Sequence, residues 1–308
     1  MNNQVKGTIF VTISAFMWGI MGIFVRGLYA VGYSSIDISF MRCLLAGVIL
    51  LISISIKNKN DLKINARGLI ICTMYGIMGY CLTFICYSIS VERLPIAVAI
   101  VLMYLSPIWI ALISKFIFLE KIGMKKFLII ITCIIGAVLV ANLAGAEDIK
   151  LDALGIIAGL TNSIGVALQI MIPKYFEKEY NYQTMLTYGL LSSAVILFLF
   201  ADKGLIVNTV ILHPTLNTIA MLIGIGVLCT LVANGLYLYA AKLLPATTVS
   251  IMTSLEVIVA MTFGYFVYNE VLAPLQLFGA FLVISAAILT SVTDKKAKNK
   301  EKLSLQNQ

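Results

Sequence analysis

Few residues in this 308-residue chain could do chemistry, and those that could stand alone. Glu256 is the only acid well inside an apolar stretch. Eleven residues beyond Pro245, it lies about 16 Å up a helix rising 1.5 Å per residue, and no basic residue accompanies it there. A lone carboxylate far from water is costly. Two readings follow. Glu256 is a neutral acid hydrogen-bonded to a neighbour such as Asn234 or Tyr104, holding helices together. Or it faces a cavity and alternates between a proton and the cationic or amino group of a solute. Both ligands then need the same carboxylate and compete for it, as exchange requires.

The other polar residues in apolar stretches carry paired readings too. Arg42 is expensive where it stands, so it either packs or meets a buried partner or a solute carboxylate. Arg26, near the end of its stretch, is read as snorkelling to headgroups. Trp18 and Tyr104 fall well inside their stretches, where they line a cavity or fill the core. Asn162 and Gln169, seven apart on one helix face, either join helices or touch a solute, and Asn234 has the same alternatives. Glu120 and Glu270 each close an apolar run just before the next helix, a place for a capping carboxylate or a gate contact. Pro107 removes a backbone hydrogen bond and crowds the Met103 carbonyl, which predicts a bend in mid-helix. His213, the single histidine, precedes Pro214 in a connection and carries no expected role.

Other chemistries find little support. The six cysteines (Cys43, Cys72, Cys81, Cys86, Cys133 and Cys229) lie inside apolar runs without metal-type spacing, so free buried thiols are expected. One histidine, no paired acidic motif and no thiol cluster argue against an enzyme. No phosphate-binding loop or ligand cluster calls for ATP, a metal or another cofactor. A channel would want a repeated filter or a charged ring, and neither is present.

The elements that must position these residues follow from composition. The chain is 61% hydrophobic and 12% charged, against roughly 25% charged for a soluble domain. Lipid is the solvent that accepts so much apolar surface. An all-α integral membrane protein is predicted, with ten spans near the roughly 20 residues a helix needs to cross a bilayer. They run Thr8–Leu28, Ile36–Ile56, Gly68–Ser90, Pro95–Phe118, Lys125–Leu143, Ala153–Pro173, Gln183–Ala201, Thr215–Ala241, Ala246–Tyr268 and Pro274–Val292. The longest connections, Lys57–Arg67 and Asp202–Pro214, hold no soluble domain. The first run lacks a small-residue cleavage site and is expected to stay in the mature protein.

The net charge of +8 would suggest nucleic acid in a soluble protein; here it reports orientation. With the N-terminus inside, inner segments hold sixteen lysines and arginines and outer loops three, Arg93, Lys150 and Lys203. Both termini are therefore expected in the cytoplasm, in the cell (plasma) membrane. No nucleic-acid partner is expected, and a homodimer stays open.

Tyr87 to Val140 occurs twice. Shifted by 150 without gaps, Tyr87 falls on Tyr237, Leu94 on Leu244, Pro95 on Pro245, Leu105 on Leu255, Ile108 on Ile258, Phe116 on Phe266 and Glu120 on Glu270. Pro95 and Pro245 read as matched helix starts. Earlier spans align less closely, with Arg26 meeting Lys174 and Gly76 meeting Gly226. Residues 1–145 and 150–293 would be two five-helix repeats, followed by a basic tail, 294–308. Five crossings carry the chain to the opposite side, so the second copy is inverted. Inverted bundles rocking about a central site expose it to each side in turn, which points to a secondary transporter. A non-transporting scaffold is the alternative, though it gives Glu256 no purpose.

The chain also resembles the drug/metabolite transporter superfamily, specifically its EamA-type members, over essentially its whole length. The residues that carry this are Ala15-Phe16-Met17-Trp18-Gly19, Phe40-Met41-Arg42-Cys43-Leu44-Leu45-Ala46, Leu94-Pro95 with Ser106-Pro107 and Phe118-Leu119-Glu120, and Leu244-Pro245 with Tyr268-Asn269-Glu270. The resemblance implies ten helices in two inverted halves and movement of small organic solutes, often outward. Glu256-Val257 departs from the pattern, standing where the first copy has Ser106-Pro107. The expected activity is alternating-access transport, with export favoured, of small polar or amphipathic metabolites. These would be amino-acid-like or cationic, with proton coupling through Glu256.

Overall fold

A computed structural model describes residues 3–94, 96–120, 122–141, 152–269 and 271–306. Among the described residues every long element is a helix. In chain order these are α1 (Asn3–Ala30), α2 (Ser35–Lys57), α3 (Ala66–Arg93), α4 (Val98–Phe116), α5 (Met124–Val140), α6 (Ala153–Tyr175), α7 (Tyr182–Phe198), α8 (Lys203–Leu212), α9 (Leu216–Leu243), α10 (Ala246–Tyr268) and α11 (Pro274–Thr293). Eight of them, α1–α4, α6 and α9–α11, are long and apolar enough to cross a membrane. Helices α5 and α7 have 17 residues each. Counting α7 and α8, bent by 113°, as one broken span makes nine.

Local sequence explains most of the starts. Ser34 and Asp37 form a reciprocal capping box at α2. Asn65, Asp152, Asn181 and Thr215 each accept from a first-turn amide of α3, α6, α7 and α9. The connection Asp202–Pro214 contains a short helix, with Asp202 capping α8 through the amide of Leu205 at 3.0 Å. Leu205, Ile206 and Val210 of that helix pack onto the core, which the polar ends of the segment concealed. The last helix also continues past its apolar part as Pro274–Gln306.

Large apolar side chains cover the outside. Ile9, Ile13 and Phe16 on α1, and Leu277, Phe281 and Ile288 on α11, are exposed. Water would penalise such a surface, and a bilayer accepts it. The interior is packed around Tyr75, Tyr80, Ile170, Leu186, Leu190, Ile225 and Val249.

Small residues let backbones touch. A Cβ on Gly136 of α5 would meet the Gly279 carbonyl oxygen of α11 at 2.8 Å, and one on Gly279 would meet that of Gly136 at 2.6 Å.

Several irregularities recur 150 residues apart. Helix α4 breaks at Tyr104–Leu105 and resumes at Ser106; α10 breaks at Ser254–Leu255 and resumes at Glu256. Leu94 and Leu244 end α3 and α9 in the same extended conformation, with φ of −125° and −124°. Leu119 and Asn269 both take φ 53°. Wider π-helical turns occupy Ile77–Cys81 in α3 and Gly224–Val232 in α9. Where a bend is expected at Pro107 the helix is interrupted, with that proline in the first turn of the resumed helix.

Cross-helix contacts sort the ends into two faces. Arg67 with Glu179, Lys174 with Glu120, and Thr184 with the Asp61 carbonyl share one face, which is rich in lysine. Arg93 with Asp152, Asp37 with the Asp202 amide, and Tyr33 with Thr209 share the other.

Candidate functional site

Glu256 opens the resumed part of α10, so its carboxylate sits at the positive end of that half-helix. Gly19 of α1 lies against its backbone carbonyl, where a Cβ would come to 2.7 Å. The Tyr104 hydroxyl, from the matching break in α4, donates to Glu256 Oε1 at 3.1 Å. Tyr87 of α3 and Tyr237 of α9 stand within electrostatic reach of the carboxylate. Trp18 meets Tyr237 edge-on at 5.1 Å and donates Nε1 to the Cys229 carbonyl at 2.9 Å. A carboxylate bonded by one tyrosine and near enough to two more to act on them can hold a proton or a soft, weakly hydrated cation.

A second polar group is built around α9. Its π-helical turn lets the Thr230 hydroxyl donate to the Ile225 carbonyl at 2.8 Å, five residues back. The same hydroxyl accepts from Arg42 Nε at 2.9 Å. Arg42 is only 9% exposed, and its guanidinium lies over the Phe84 ring at 4.8 Å. Asn234 donates to the Thr230 carbonyl at 2.8 Å and accepts from Tyr80 at 3.0 Å, and Tyr80 bonds Tyr75 at 3.1 Å. Sequence reading paired Asn234 with Glu256 as one option; the structure pairs Asn234 with Tyr80 and Tyr104 with Glu256.

The remaining candidates are placed elsewhere. Asn162 donates to the Thr83 carbonyl at 2.9 Å and Gln169 to the Gly79 carbonyl at 2.5 Å, so both join α6 to α3. Glu120 does not cap α5, whose N-cap is Gly123 with no side-chain bond. Its Oε1 accepts from Lys174 Nζ at 3.1 Å, and its Oε2 is buried without a partner. Lys174 reaches it because α6 ends beside α4. Glu270 lies outside the described residues, as does Pro95. A hollow of about 480 Å³ opens on the lysine-rich face beside Tyr180, Tyr182 and Lys242, and Glu256 does not line it.

Sequence reasoning missed Tyr80, Thr230 and Lys174, and gave Tyr87 and Tyr237 no role. The last two were visible as a repeated tyrosine. Thr230 carried no signal, since its position depends on a π-helical turn.

Among the described residues the body is all helical, with an apolar outer surface and charged groups held singly inside it. The chain belongs to the EamA-like transporter family, whose profile matches twice, over residues 5–142 and 153–292. It is 25% identical over 273 residues to a protein of Rickettsia bellii named S-adenosylmethionine uptake transporter, covering 87% of each chain. It is 20% identical over 291 residues to the pseudopaline exporter CntI of Pseudomonas aeruginosa, covering 94% of this chain and 97% of that one. A solved crystal structure shares the fold with a TM-score of 0.78 at 12% identity, over 95% of this chain and 99% of the other.

Proposed function

We propose that this protein is a proton-coupled secondary transporter of small cationic or amino-acid-like metabolites, working by alternating access. The observation that carries the reading is the lone Glu256 carboxylate, held by Tyr104 across two helix breaks that match at an offset of 150. Ten spans, α1–α7 and α9–α11, form two inverted five-helix repeats, 1–145 and 150–293, with 294–308 as the tail. The twofold match to one family profile and the recurring irregularities support this arrangement. Glu256 sits between the repeats, where rocking exposes it to either side.

Both termini face the cytoplasm in the plasma membrane, as the sixteen-to-three bias of basic residues favours. Export is taken as the working direction, following the family resemblance. S-adenosylmethionine, named for one relative, is the first solute to try, because its sulfonium suits a carboxylate among aromatic rings.

The test is flux in proteoliposomes under an imposed pH gradient. Glu256→Gln keeps shape and hydrogen bonding but cannot ionise. It is expected to stay folded and to lose pH-driven flux; undiminished pH-driven flux through Glu256→Gln rules the coupling role out.

A further inference from the structure

Arg42 and Glu256 are opposite charges held in one interior, yet they are not paired with each other. Glu256 has Tyr104, and Arg42 has Thr230 and the Phe84 ring. Among the described residues no carboxylate pairs with Arg42, and only its Nε has a hydrogen-bond partner. Neither Nη has a hydrogen-bond partner among the described residues. A guanidinium on a buried arginine, without an anion among the described residues, is a costly feature that packing alone does not require. Phe84 covers its flat side, and the two-pronged Nη edge has no protein partner. That edge fits a carboxylate, with two parallel N–H···O bonds.

Helix α9 connects the surroundings of the two poles. Asn234 belongs to the Arg42 group through Thr230 and Tyr80. Tyr237, which lies within electrostatic reach of Glu256, is three residues further along α9 and therefore on the same side, one turn away.

We propose that Arg42 is the anion pole of the solute site, taking the carboxylate of a zwitterionic solute whose cationic group goes to Glu256. The inference rests on the transport reading above and narrows its substrate class: a bare amine lacks half of the recognition. A zwitterion neutralises both interior charges at once, whereas either pole alone would leave one of them unmatched.

The experiment is thermal unfolding of the purified full chain in nanodiscs. The probes are the proteinogenic L-amino acids, their α-carboxamides, and S-adenosylmethionine beside its decarboxylated analogue. At least one free acid is expected to stabilise the wild type, with its amide or decarboxylated partner weaker by about tenfold or more. Arg42→Gln is expected to erase most of that preference, and Arg42→Lys to keep part of it. The acid-versus-amide comparison needs only the wild type, so a variant that fails to fold leaves the test intact. Four results overturn the proposal: equal binding of acid and amide, no stabilisation by any carboxylate, an acid preference that survives Arg42→Gln, or stabilisation by chloride alone in place of the solute. Acids that bind through Arg42 while replacement of Glu256 changes nothing would overturn the Glu256 pole and the transport reading that rests on it, and would leave Arg42 standing only as an anion site.

Discussion

Lys174 Nζ donates to Glu120 Oε1 at 3.1 Å, tying the end of α6 to the end of α4 on the lysine-rich face. Lys174 also lies over the Phe118 ring at 5.2 Å, and on the opposite face Arg26 covers the Tyr268 ring at 4.3 Å. Tyr268 is Phe118 carried forward by 150 residues, and Lys174 is Arg26 carried forward by 148. The two ends of the molecule are fastened by the same kind of contact. Lys174→Met is expected to cost about 1–3 kcal/mol, because Glu120, with Oε2 already buried and unpartnered, loses the cation it bonds. The readout is the unfolding temperature, which falls by roughly 2–4 °C per kcal/mol. The exchange Lys174→Glu with Glu120→Lys is expected to recover part of the loss; no recovery would show that the contact works through packing instead.

Tyr104→Phe removes the one hydroxyl that holds Glu256. The variant is expected to stay folded, at a cost of about 1 kcal/mol. Transport in proteoliposomes is expected to fall more than stability does, because the carboxylate loses its orientation. Wild-type flux through Tyr104→Phe would mean that the bond is only a brace.

All six cysteines are buried and free. Intact mass under denaturing, non-reducing conditions is therefore expected to be that of six thiols. A deficit of two hydrogens would reveal a disulfide that the described geometry does not contain.

How much of this was legible in the sequence can be traced residue by residue. The helical body follows from apolar length, and Glu256 stands out because an acid so deep in an apolar run needs a reason. Pro107 announced a bend, yet α10 breaks at the equivalent place with no proline near Ser254. The shared architecture sets the break, and the proline only suits it. Lys174 and Glu120 are 54 residues apart, and Arg42 and Thr230 are 188 apart. Side-chain partners at such separations depend on how helices pack, which local patterns do not encode. Asn162 and Gln169 looked like solute contacts or helix joints, and only the three-dimensional placement shows them bonding carbonyls of α3.

Orientation has its own test. The Lys57–Arg67 connection is proposed to be cytoplasmic, and Asn60 within it is exposed. Single cysteines at Asn60 and Asn299, in a cysteine-free background, are expected to resist an impermeant thiol reagent in intact cells. Labelling of both from outside would reverse the topology.

The crossing of Gly136 over Gly279 has a mechanical consequence. Each backbone occupies the space where the other would need a side chain, so the contact can neither slide nor swell without a clash. Under the proposed repeats, it also joins the closing helix of one half to the closing helix of the other. Under the proposed rocking, such a seam would serve as an axle, holding α5 to α11 while the helices bearing Glu256, Tyr104 and Arg42 swing around them. A bulkier residue at either glycine would then hinder the motion without touching the solute at all.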